Sequence, residues 1–192
     1  MTCYFELAEY KNAIEQAQLV LNSGRVDESL ILELNTFVAR AAFLAPDRDL
    51  AVQKYLLVES ASQGELKAEA MYHLAYLAFY EGAYEQSKQI VFEQSRLLPL
   101  YKKWLGKSFI VLAKNYWEEE DVFQATHTLE QLIINIDEPE VLKEARSLKA
   151  EILAKENKEQ DMSLGLDLIQ MTDSLPIRDS LPRTDSLRIS EE

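Results

Sequence analysis

The sequence predicts an all-α fold, built as a stack of antiparallel helix pairs. Three observations predict it. A small residue returns on one helical face at Ala13, Ala51, Ser87 and Ala125, at spacings of 38, 36 and 38, and its surroundings return with it: Tyr10-x-x-Ala13-Ile14, Leu50-Ala51-Val52, Tyr84-x-x-Ser87, and Phe123-x-Ala125 followed by Leu129. Such a period is too long for one helix and too short for a domain. It fits a helix pair that buries its apolar face only against neighbouring pairs. Strand-like alternation and turn pairs such as Asn-Gly are absent, and three of the five prolines, Pro46, Pro99 and Pro139, fall between helical stretches. Finally, 192 residues of which 47% are apolar can supply a substantial core.

The elements follow in order. Ala13 marks the second helix of a pair, and Tyr4 then holds an aromatic place late in the first. Most of that first helix would lie before Met1. The chain is therefore expected to open partway through a repeat, as the C-terminal part of a longer array or from a misassigned start. Val38, Ala39, Ala42, Ala51 and Tyr55 form the next pair. The clearest pair runs from Ala68 to Pro99: Met71, Leu74, Ala75 and Ala78 make an i, i+3, i+4, i+7 stripe, Gly82 gives the reversal, and Tyr84, Ser87, Ile90, Val91 and Gln94 return. The following pair carries Phe109, Leu112, Ala113 and Tyr116, then Asp121 as a helix cap, then Phe123, Ala125, Leu129 and Leu132. Pro139 suits a first helical turn, and Val141 to Asn157 reads as a capping helix with Leu142, Ala145, Leu148 and Ile152 on its apolar side. Lys149 falls where Ala75 and Ala113 stood. The repeat domain is expected over residues 1–157, with 139–157 its cap. Residues 158–192 are expected to be a disordered acidic tail. Asp173-Ser174-Leu175, Asp179-Ser180-Leu181 and Asp185-Ser186-Leu187 recur there around Pro176 and Pro182, and bury too little to offset ordering entropy.

Charge and chemistry narrow the function. Thirty-three carboxylates against 20 Lys and Arg give a net charge of −13, which disfavours a duplex phosphate partner. Cys3 is alone, so neither an intrachain disulfide nor a cysteine zinc site can form. No stretch approaches the roughly 18 apolar residues of a membrane span, and no signal peptide is visible. His73 and His127 sit in neighbouring pairs without metal-ligand spacing and read as ordinary residues. Glu118-Glu119-Glu120-Asp121 lacks the alternating oxygen ligands of a calcium loop and reads as a solvated turn. No Cys-x-x-Cys, His-Glu-x-x-His, phosphate loop or dinucleotide glycine pattern occurs. Neither catalysis, a metal nor a cofactor is expected.

Met71, Leu74, Ala75, Gly82, Tyr84, Ser87, Val91 and Pro99, with Phe109, Leu112, Ala113, Tyr116, Ala125 and Leu129, make the region from Met1 to Asn157 resemble the tetratricopeptide repeat. Glu120 stands in place of the turn glycine and Asp137 in place of the closing proline. The Phe109–Ile134 stretch also resembles bacterial envelope repeat proteins of the outer-membrane assembly lipoprotein and periplasmic coordinator type, which implies a periplasmic or envelope setting. The family resemblance implies a right-handed solenoid whose first helices line a concave groove. Its groove places fall on Arg40 and Phe43, on Tyr72, Tyr76, Phe79 and Tyr80, on Lys107, Ile110, Lys114 and Trp117, and on Lys143 and Arg146 of the cap. Tyr72, Tyr76 and Tyr80 share one helix face. Aromatic rings beside cations suit an acidic or amphipathic peptide. The family's two-carboxylate clamp is not reproduced, because its groove asparagine is missing. The expected function is a non-enzymatic scaffold or adaptor that binds a protein segment in the groove. The alternative is a structural spacer at the end of a longer array.

Overall fold

The computed structural model describes residues 9–24 and 26–173, with side chains as far as residue 158. Among these residues there are eight helices and no strand: α1 (Tyr10–Asn22), α2 (Glu28–Leu44), α3 (Arg48–Ala61), α4 (Gly64–Tyr80), α5 (Tyr84–Leu97), α6 (Lys102–Glu118), α7 (Val122–Asn135) and α8 (Pro139–Asp173). Two compact units result, Met1–Leu153 and Ala154–Glu192. Every packing and site residue named below belongs to the first.

Repetition in the sequence becomes repetition in space. First helices α2, α4 and α6 each have 17 residues, and second helices α3, α5 and α7 each have 14. Ala13, Ala51, Ser87 and Ala125 are each the fourth residue of α1, α3, α5 and α7, and each is fully buried. Ala39, Ala75 and Ala113 hold the twelfth place of the first helices and are equally inaccessible. Side chains this small let helix axes approach closely, so larger neighbours such as Val38, Tyr55, Val91, Ile110 and Leu129 fill the spaces between pairs. Each first helix packs on its own second helix and on the second helix before it, and α4 also packs directly on α6.

The turns inside the three pairs are built alike. The N–H groups of Asp47, Ala83 and Asp121 donate to the carbonyls of Ala42, Ala78 and Tyr116 at 2.9, 2.9 and 2.8 Å, closing each first helix with a Schellman-type bond. The residue just before each donor has positive φ: Pro46 at 25°, Gly82 at 75° and Glu120 at 63°. Only Gly82 adopts that conformation without steric cost. Asp27, Asp47 and Asp121 cap the helices that follow them, each accepting from a backbone N–H three residues on at 2.8, 3.3 and 2.9 Å.

A polar seam ties α5 to both its neighbours. Ser87 Oγ donates to the Ala75 carbonyl (2.8 Å) and accepts from Asn115 Nδ2 (2.9 Å). Gln94 Nε2 donates to the Ala68 carbonyl (3.1 Å), while its Oε1 accepts from Ser108 (2.7 Å). All four side chains are fully buried, so these bonds join α4, α5 and α6 where water cannot substitute.

The helix that begins at Pro139 runs as α8 to Asp173, past Asn157. The reason is compositional: no proline interrupts the chain between Pro139 and Pro176, and residues 158–170 include the helix formers Lys158, Glu159, Gln160, Met162 and Leu164. The expectations concerning Met1, Cys3 and Tyr4, and the Asp-Ser-Leu repeats beyond Asp173, lie outside the described residues.

Candidate functional site

The groove face is assembled from corresponding places on successive first helices. The thirteenth residues of α2, α4 and α6 are Arg40, Tyr76 and Lys114. Arg40 Nε and Nη2 donate to the two carboxylate oxygens of Glu69 at 2.6 Å each, and Lys114 Nζ lies 3.5 Å from Glu144 of α8. Each cation thus reaches a carboxylate two helices forward, across to the next helix of the same face. Glu69 is only 6% exposed, so its pairing with Arg40 holds the stack together as much as it shapes a surface.

Between these ion pairs the face is aromatic. Tyr72, Tyr76 and Tyr80 run up α4 with ring centroids 6.3 and 6.4 Å apart. Phe43 meets Tyr76 edge-on at 5.5 Å, and Trp104 of α6 lies 5.7 Å from Tyr72. Tyr80 is 54% exposed, with the Arg48 guanidinium 3.8 Å over its ring. Burial, with Glu144 and Tyr76 nearby, pushes the Tyr72 phenol up to about 12, so it remains a neutral donor at any ordinary pH.

His73 lies beneath this ladder. It stacks on Tyr55 at 4.6 Å and is ringed by Phe43 (4.5 Å), Tyr72 (4.8 Å) and Trp104 (6.0 Å). Its Nδ1 and the Tyr55 hydroxyl are buried with no hydrogen-bond partner among the described residues. Burial, reinforced by the charges of Lys107 and Arg40, holds the imidazole down at about 3. His73 is thus a neutral packing residue. His127 stacks on the exposed Phe123 at 5.9 Å, on the far side of α7 from Ala125.

The residues expected to line the groove fall into three groups. Tyr72, Tyr76 and Lys107 come together at its centre. Arg40 and Lys114 lie on the same face, each engaged by a carboxylate. Tyr80 sits at the end of the ladder, Trp117 packs partly into the core beside α7 and α8, and Lys143 and Arg146 are exposed on α8, where Glu144 between them makes the contact with Lys114. Sequence reasoning passed over Glu69, Lys103 and Trp104. On its opposite face α6 lines an apolar cleft of about 500 Å³ between α5 and α7, with Phe92, Phe109, Leu112, Tyr116 and Leu132 in its walls. Among the described residues no helix is long and apolar enough to cross a membrane, and no group of three His, Cys, Asp or Glu could hold a metal ion.

Nested helix pairs with an aromatic face on their first helices define a tetratricopeptide-like helical-repeat fold. Solved structures agree. The chain is similar to a crystal structure of a Podosopora anserina putative kinesin light chain with nearly identical TPR-like repeats, at 15% identity and a TM-score of 0.61 over 93% of each chain. It is also similar to the crystal structure of a substituted variant of the same repeats, at 15% identity and a TM-score of 0.63 over 88% of this chain and 89% of that one. These likenesses concern the fold. No family model and no curated protein matches the sequence.

Proposed function

We propose that this chain is a non-enzymatic scaffold that holds a peptide or protein segment against the groove face of α4 and α6. The observation that carries the reading is the Tyr72–Tyr76–Tyr80 ladder. Its rings are incompletely covered, stand one helical turn apart and are bordered by Lys107 and Trp104. Rigid aromatic area beside hydrogen-bonding phenols is what a bound segment can desolvate at low entropic cost. The periplasmic or envelope setting belongs to the same proposal and is open to cell fractionation.

Affinity purification with the natural-length protein should identify a partner whose capture falls at least tenfold in a Tyr76→Ala, Tyr80→Ala double variant with unchanged helicity. Equal capture of that partner by both proteins would place recognition elsewhere.

A further inference from the structure

We infer that the groove selects for acid at one point, the pair Lys103 and Lys107 beside Trp104, and that the bound segment places a carboxylate side chain there with an apolar neighbour on Tyr72 and Tyr76. This rests on the groove reading above. Two other cations of the face on α2 and α6 are already engaged: Arg40 by Glu69 and Lys114 by Glu144. Lys103 and Lys107 differ from them. Their ammonium groups lie 5.4 and 5.3 Å from the same indole ring, Lys107 is also 5.8 Å from the Tyr72 ring, and neither has a carboxylate within 4 Å among the described residues.

On a chain of net charge −13, carboxylates are in ample supply for every lysine. Two unpaired ammonium groups four residues apart on one helix face repel each other, and a single carboxylate between them relieves that repulsion. Three acidic groups of α4 and α8 are committed elsewhere: Glu65 accepts the Trp104 indole N–H at 3.3 Å, fixing the ring, while Glu69 and Glu144 hold their own cations. Trp104 and Tyr72, 5.7 Å apart, form an aromatic wall that shields the contact from water and strengthens it. Apolar side chains flanking the acid then reach Tyr72 and Tyr76, whose rings continue the same wall. A basic segment would meet uncompensated like charge at this point. The occupant is accordingly an internal acidic residue among apolar ones.

A random 12-residue peptide library displayed on phage and panned against the full chain tests this. The selected peptides should be enriched in Asp or Glu beside apolar residues. The best synthetic peptide should lose at least tenfold in affinity when its acid is changed to the amide or when the chain carries Lys107→Gln or Lys103→Gln. It should regain affinity for Lys107→Glu when its acid is exchanged for lysine. Circular dichroism confirms that each variant is folded. Selected peptides that depend on Tyr76 but are indifferent to Lys103, Lys107 and their own acid would overturn the acidic subsite and leave the groove reading standing. Peptides indifferent to Tyr76→Ala, or a library that yields no binder, would count against both.

Discussion

His73 gives this fold a stability that depends on pH. The imidazole is packed among Phe43, Tyr55, Tyr72 and Trp104, its Nδ1 has no acceptor, and Arg40 and Lys107 are the charges that bear on it. Protonation therefore costs more in the folded chain than in the unfolded one, where the ring titrates near 6.5 rather than about 3. The unfolded state binds the extra proton throughout that interval, so the stability is fully present above pH 6.5 and is lost as pH falls toward 3. Between pH 7 and pH 5 the loss amounts to about 2 kcal/mol. With a urea slope of about 2 kcal/mol/M, the unfolding midpoint should drop by about 1 M over those two pH values. His73→Phe is the control, since α2 carries Phe37 at the corresponding place and a phenyl ring keeps the stacking without a titrating group. Urea titrations of both proteins at each pH should show a midpoint difference that narrows or reverses in favour of the variant at pH 5. An unchanged difference would refute the packing and burial assigned to His73.

Other consequences are local. Glu120 holds φ 63° at the turn place that Gly82 occupies in the preceding pair, so Glu120→Gly should stabilise by about 0.5–1 kcal/mol, read as a raised unfolding midpoint. Ser87→Ala should cost about 1–3 kcal/mol, although alanine fits that place in three other helices, because Asn115 Nδ2 and the Ala75 carbonyl lose a shared partner; with Asn115→Leu added, the double variant should lose less than the sum of the two. Arg40→Ala should destabilise by about 2 kcal/mol, below the roughly 3–5 kcal/mol of a fully buried pair since the Arg40 side chain is 47% exposed. It leaves Glu69 buried and unpaired, and thermal unfolding reads the loss.

Much of the fold was legible because packing in a stack depends on residue size, and size recurs visibly in the chain. Ala51, Ser87 and Ala125 are fourth in their helices because no larger side chain fits where a second helix crosses its first. Gly82 and Asp121 announced their turn and cap through local backbone chemistry. The site was harder to read because its charges are set between helices. Whether Arg40 faces solvent or Glu69 depends on the offset between α2 and α4, which no single-helix pattern contains. The offset between α6 and α8 likewise brings Glu144, not Lys143, to Lys114, and that between α4 and α6 sets Trp104 against Tyr72.

Photo-crosslinking tests the central claim most directly. A benzophenone side chain placed singly at Tyr76, Tyr80 or Lys107 should crosslink to a selected peptide or identified partner, whereas the same group at Phe92 or Phe123, across α5 and α7, should not. Crosslinks confined to Phe92 and Phe123, with Tyr76, Tyr80 and Lys107 silent, would move recognition to the α5 and α7 side and contradict the account.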